Sequence, residues 1–229
     1  MVIAVTLAVT LALSLAGLWL TLRDAEQNAP SPDGGEGERG CLAAGLTREL
    51  KVYSAVSTAV CLGVALTLAL AYPRNTFIFN MRRLCLLSLL APAAFTDYKS
   101  YRIPNAFIIA GIAYWALLFA AETVVTGVGG MLGIAGANLL TAGAVSAAAF
   151  LCGLAIRGSI GAGDVKLFMV MGLLLSVEGI WGAVLLSLAV SFVASAWLLL
   201  TKRKTRKDTL PFAPALAAGT LMSVLLTGM

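Results

Sequence analysis

The sequence predicts an all-α protein, a polytopic transmembrane helix bundle of about eight spans, two of them short. Sixty per cent of its 229 residues are apolar, 12% are charged and the mean hydropathy is +0.94, whereas a soluble domain carries about 25% charged residues to keep its surface solvated. The apolar residues fall in uncharged runs, most of them near the ~20 residues that cross a bilayer. When those runs alternate in direction, the basic residues collect on one side, as the positive-inside rule requires.

The first run, Val2–Leu22, has no positively charged segment before it and is too long for the apolar core of a signal peptide. A retained helix is expected. The polar stretch 23–52 follows, and its portion 29–39, Ala-Pro-Ser-Pro-Asp-Gly-Gly-Glu-Gly-Glu-Arg, is acidic, rich in Pro and Gly, and without apolar anchors. Such composition predicts a disordered or turn-rich linker and no second soluble domain. Runs at 53–73, 84–96, 105–126, 128–156, 165–177, 179–201 and 210–229 complete the set. The runs 84–96 and 165–177 are too short to span ~30 Å of hydrocarbon at ~1.5 Å per residue. Each is expected to extend past its bounding charge, which draws Asp97 and Asp164 toward the membrane. Residues 1–83 thus hold two helices with a polar loop between them, and residues 84–229 hold the six remaining runs.

With the N-terminus outside, every basic residue except Arg74, Arg82 and Arg83 lies inside. Those three fit the alternation poorly, and a re-entrant third segment is the alternative. The run Lys202–Lys207 follows an apolar stretch directly, so it reads as an anchor at anionic headgroups and not as a nucleic-acid patch. No nucleic-acid partner is expected; the bilayer is. The chain has no His and no paired cysteines: Cys61, Cys85 and Cys152 fall in apolar runs, and Cys41 stands alone in the polar stretch. The usual ligands of a zinc site are therefore missing, and no metal or cofactor is expected. Gly129 and Gly133 have the spacing that lets helix backbones approach closely.

Outside the polar stretch there are five acids. Glu122 and Glu178 near external span ends, and Asp208 beside the basic run, suit solvated or paired roles. Asp97 ends an apolar run, where a carboxylate opposes the helix dipole. After it come Tyr98-Lys99-Ser100-Tyr101-Arg102-Ile103-Pro104-Asn105. Pro104 suits the first turn of the next helix, so a short hairpin turn is expected, with Lys99 and Arg102 reaching to the interface. Asp164 closes Gly158-Ser159-Ile160-Gly161-Ala162-Gly163-Asp164, with Lys166 shortly after. Asp is also a favoured helix N-cap. Both aspartates fall at the cytoplasmic boundary, where ionisable groups are costly and usually functional. Two adjacent carboxylates would share a proton, and one could activate water while the other polarises a carbonyl. On chemistry alone, the chain is a membrane protein with two candidate acids.

The two segments together resemble the GxGD intramembrane aspartic proteases, and within them the prepilin peptidases of type IV pili and type II secretion. The first motif of that family, Asp, a basic residue, then Ile-Pro-Asn, is matched by Asp97, Lys99, Ile103, Pro104 and Asn105; the second by Gly161, Gly163, Asp164 and Lys166. The stretch Leu210-Pro211-Phe212-Ala213-Pro214 is similar to the family's Pro-Phe-Gly-Pro, with Pro211 and Pro214 in place and Ala213 where Gly is usual. The resemblance implies an inner-membrane endopeptidase in which Asp97 and Asp164 remove the leader of a prepilin or pseudopilin at the cytoplasmic face. Full-length bacterial members carry paired CxxC motifs in the first loop, associated with N-methylation; this chain has only Cys41 there, so a peptidase without methyltransferase activity is expected. A presenilin or signal-peptide-peptidase relative is an alternative, since Pro214-Ala215-Leu216 matches its Pro-Ala-Leu, although Thr96-Asp97 stands where those proteins have Tyr-Asp. A small transporter with the two aspartates along an ion path is another, and an assembly factor in which both acids only cap helices is a third.

Overall fold

Each of the eight apolar runs forms a helix. The computed structural model describes residues 2–27, 36–72, 75–155, 161–175, 177–202 and 210–227. Within them the elements are α1 (Val2–Gln27), α2 (Glu36–Ala71), α3 (Phe77–Ser100), α4 (Asn105–Thr126), α5 (Val128–Ala155), α6 (Ala162–Leu174), α7 (Val177–Leu200) and α8 (Ala213–Thr227), with no strand. Six of these are long and apolar enough to cross a membrane; α6, at 13 residues, and α8, at 15, are not.

The boundaries differ from the sequence reading in four places. The third run is not short: α3 extends on both sides to 24 residues and carries Asp97 in its last turn. Because α3 is one continuous helix, the re-entrant alternative is set aside. The sixth run gains Asp164 at its start and remains short, and the last run is shorter than 210–229 suggested. The polar stretch 23–52 is also reduced, because α1 continues to Gln27 and α2 begins at Glu36; residues 28–35 lie outside the described ones.

The hub of the bundle is α3. Two thirds of its most apolar stretch is buried, against a quarter or less for the other five long helices, whose large side chains such as Leu117, Phe192 and Trp197 remain exposed. That surface suits lipid, since helices satisfy their own backbone polar groups. Helices then need only close packing, and small residues supply it. A Cβ on Gly111 of α4 would stand 2.4 Å from Val170 of α6, one on Gly172 of α6 would stand 2.5 Å from the Ala142 backbone of α5, and one on Gly219 of α8 would stand 2.3 Å from the Ser187 backbone of α7. Gly129 and Gly133 face open space instead, so the close approach expected of them occurs at other glycines.

Two of the three arginines that fitted the alternation poorly, Arg82 and Arg83, lie within α3. Both are buried. Arg82 pairs with Glu122 at the far end of α4, and Arg83 lies over the Phe79 ring at 4.2 Å. A buried charge needs such partners, and Glu122 has the paired role expected of it. Arg74, Asp208 and the Glu178 side chain lie outside what is described. At the same end as the Arg82–Glu122 pair, the Tyr72 hydroxyl donates to the Leu225 carbonyl at 3.1 Å. The C-terminal end of α3 and the N-terminal ends of α4, α6 and α8 meet at the opposite end.

Candidate active site

Asp97 is buried, only 7% exposed, in the last turn of α3. The chain reverses directly after it: Tyr101 adopts a left-handed φ of 52° and returns its N–H to the Asp97 carbonyl at 2.9 Å. The buried carboxylate needs donors, and α8 provides them. The Ala213 N–H donates to Asp97 Oδ2 at 3.0 Å, and the Phe212 N–H is in reach as well. These are the unpaired amides at the start of α8, where the helix dipole favours negative charge. Pro214 has no N–H to lose there. Asp97 therefore opposes the dipole of its own helix and is compensated by that of α8.

Asp164 lies in the first turn of α6, outside the six long spans. Gly161, the N-cap, donates its N–H to Asp164 Oδ2 at 3.3 Å, so the N-cap is Gly161 and not Asp164 itself. Asp164 Oδ1 is buried with no hydrogen-bond partner among the described residues. Burial, and then the charge of Asp97, push the Asp164 pKa up to about 6, against the opposing effect of the Gly161 N–H. The two carboxylates thus sense one another although they stand on different helices.

The two motifs are also in contact. A Cβ on Gly163 would stand 3.2 Å from Ile103 Cβ, so glycine lets the start of α6 settle onto the turn after Asp97. Lys166 Nζ donates to Asn105 Oδ1 at 2.9 Å, which ties α6 to the start of α4. Pro104 is the N-cap of α4, one residue before its expected place in the first turn. Phe212 packs on Phe168 with ring centroids 5.8 Å apart, holding the Pro211–Pro214 segment against α6. The Ala213 methyl, where the resembled family has Gly, is buried in the same core cluster.

Lys99 turns away from this cluster. It forms an exposed ion pair with Glu49 of α2, while Arg102 is exposed at the turn. Glu49 carried no signal in the sequence, being one of six acids in a polar stretch. The Ala213 amide carried none either, because a backbone donor is independent of the side chain; only the two prolines hinted at a helix start there.

Fold and site together define a multi-pass membrane protein with two interacting carboxylates at one end of its bundle. The model of the type IV leader peptidase family matches residues 84–200, just over half of the chain, and the chain belongs to that family. It is similar to the prepilin leader peptidase/N-methyltransferase of Bacillus subtilis (strain 168), with 34% identity over 139 residues. That match covers 61% of this chain and 53% of the relative, so the chain spans about half of that protein's length. No solved structure matches it.

Proposed function

We propose that the protein is an aspartic endopeptidase of the inner membrane that removes the leader of a prepilin or pseudopilin at the cytoplasmic face. The observation that carries this reading is that Asp97, ending one helix, and Asp164, starting another, lie close enough at one end of the bundle for the charge of the first to raise the pKa of the second. In the mechanism, the α8 amides hold Asp97 as an acceptor, so it carries the negative charge and takes the proton of an attacking water. Burial and the neighbouring charge raise the Asp164 pKa to about 6, so the protonated form is populated far more near neutrality than for a free carboxyl, and that form is the acid of the pair. It polarises the scissile carbonyl and then protonates the leaving amine. Lys166 and Asn105 fix α6 against α4 and so set the spacing of the pair. Residues 84–229 would form the catalytic unit.

An ion path lined by the same two acids is less well supported, because Asp97 Oδ2 is occupied by the α8 amides. The relative's name includes an N-methyltransferase; we assign this chain the peptidase step alone, because its polar stretch holds a single cysteine. Co-expression with candidate prepilins from the same genome, followed by mass spectrometry, tests both parts. The expected product has lost its leader and bears an unmethylated N-terminus. An intact prepilin contradicts the peptidase, and a methylated product contradicts the division of labour.

A further inference from the structure

Apolar clefts open on the surface of the bundle among the described residues. One lies between α1 and α2, lined by Leu7, Leu11 and Leu66. Another lies between α7 and α8, lined by Val190, Val193 and Trp197. The third separates α2 from the α3/α8 pair and is built in two sections. Its mouth, about 850 Å³, is lined by Arg48, Glu49, Tyr98, Lys99 and Pro214. A narrower shaft of about 190 Å³ continues past Val60, Val64, Leu87 and Leu221. Tyr53 and Val56 belong to both sections, so the two are continuous.

From this groove we infer the seat of the substrate's membrane-spanning helix: a single apolar α-helix packs along α2, and its polar N-terminal extension leaves through the mouth beside Asp97. The inference rests on the peptidase reading above and adds where the substrate lies. Nearness to the site along α3 and α8 is the first reason. Pro214 adjoins Ala213, whose N–H holds Asp97, and Tyr98 and Lys99 follow Asp97 directly; neither other cleft contains a residue of these motifs.

Polarity is the second reason. Three charged side chains rim the mouth and the shaft is almost wholly apolar, which matches a chain that changes from polar to apolar at the level of the scissile bond. The third is the shape of α2. Val52, Val56, Val60 and Val64 recur every fourth residue and form one ridge, and the first three are 60%, 58% and 43% exposed. From Glu49 to Val64 this face is roughly 22 Å long at ~1.5 Å per residue, most of a hydrocarbon thickness. A guest helix satisfies its own backbone and needs from such a ridge only close packing.

Val56→Trp and Val60→Trp fill the groove without touching either aspartate, and Val193→Trp makes the same change in the α7/α8 cleft. On a full-length membrane-spanning prepilin in lipid vesicles, the two groove variants should lower kcat/KM by at least about tenfold. Cleavage of a short soluble peptide across the scissile bond by Val60→Trp, which lies in the shaft below the mouth, and the unfolding midpoints of both variants, should match the parent. Val193→Trp should change none of these. Unaltered turnover of the membrane-spanning prepilin by both groove variants overturns the inference.

A binding readout separates failure of the groove from failure of the peptidase. In a cysteine-free Asp97→Asn background, Val60→Cys should form disulfides with cysteines placed every three to four residues along the prepilin's apolar helix, and Val193→Cys should not. These cross-links decide the question even if the parent chain cleaves nothing. Cross-links between two copies through Val60→Cys, or to a photoreactive lipid acyl chain alone, assign the groove to another occupant and overturn it.

Discussion

Asp164 has one carboxylate oxygen turned back to its own helix start and another buried with no hydrogen-bond partner among the described residues. Such a group destabilises the fold when ionised and gains its role from the carboxylate it meets. Its pKa is raised from 3.8 to about 6, so between those values the folded state binds more protons than the unfolded one. Stability is therefore fully present below pH ~4, is lost as pH rises through ~6, and stays flat above. Replacing Asp164 by Asn removes that loss. Thermal unfolding in detergent should show Asp164→Asn a few degrees above the parent at pH 7, with the gap closing toward pH 4; equal midpoints at every pH would contradict the buried, charge-coupled site. At this scale the sequence was legible where chemistry resides in side chains. Asp97, Asp164, Lys166 and Asn105 were marked by their motifs, whereas the Lys166–Asn105 bond that joins the two segments is visible only in the structure. The Ala213 amide and Glu49 were not, because one is backbone and the other acquires meaning only when α2 lies beside Lys99.

All eight helices were visible as uncharged runs, because a run that must face lipid admits few charges. Their ends were harder to read, since a charge may lie inside a helix once it is paired: Arg82 finds Glu122, and Asp97 finds the start of α8. The short α6 and α8 follow from this arrangement, as both begin at the carboxylates and neither is long enough to cross. Which glycines bring helices together was also hidden, because spacing along one helix does not reveal which face its partner takes. Gly219 makes the tightest approach, onto the Ser187 backbone, while Gly129 faces open space. Gly219→Val should force α8 from α7 at a cost of about 1–3 kcal/mol or more, and should lower turnover because the start of α8 carries the Asp97 donors. Gly129→Val should leave both unfolding and turnover close to the parent. Similar unfolding midpoints for the two variants would show that the α7–α8 contact is not as close as described.

For the whole molecule, the bundle matters because its alternating helices gather the C-terminal turn of α3 and the N-terminal turns of α4, α6 and α8 at one end. From the asymmetry of the basic residues we propose that this end faces the cytoplasm. Single cysteines at Ser100, Ala162 and Thr201 in a cysteine-free background should resist an impermeant maleimide in intact cells and react after permeabilisation, whereas one at Gly127 should label from outside. Labelling of positions 100 and 162 from opposite sides would separate the two aspartates across the membrane.

That the two aspartates work as a single catalytic unit is tested most directly by leader removal with Asp97→Asn, Asp164→Asn and the double variant. All three would be assayed on one prepilin in vesicles, with unfolding midpoints recorded to establish folding. Each single replacement should abolish cleavage, and the double should be no worse than either, because groups that act together do not contribute additively. Substantial turnover by either folded single variant, or a double variant clearly slower than both singles, would contradict the account.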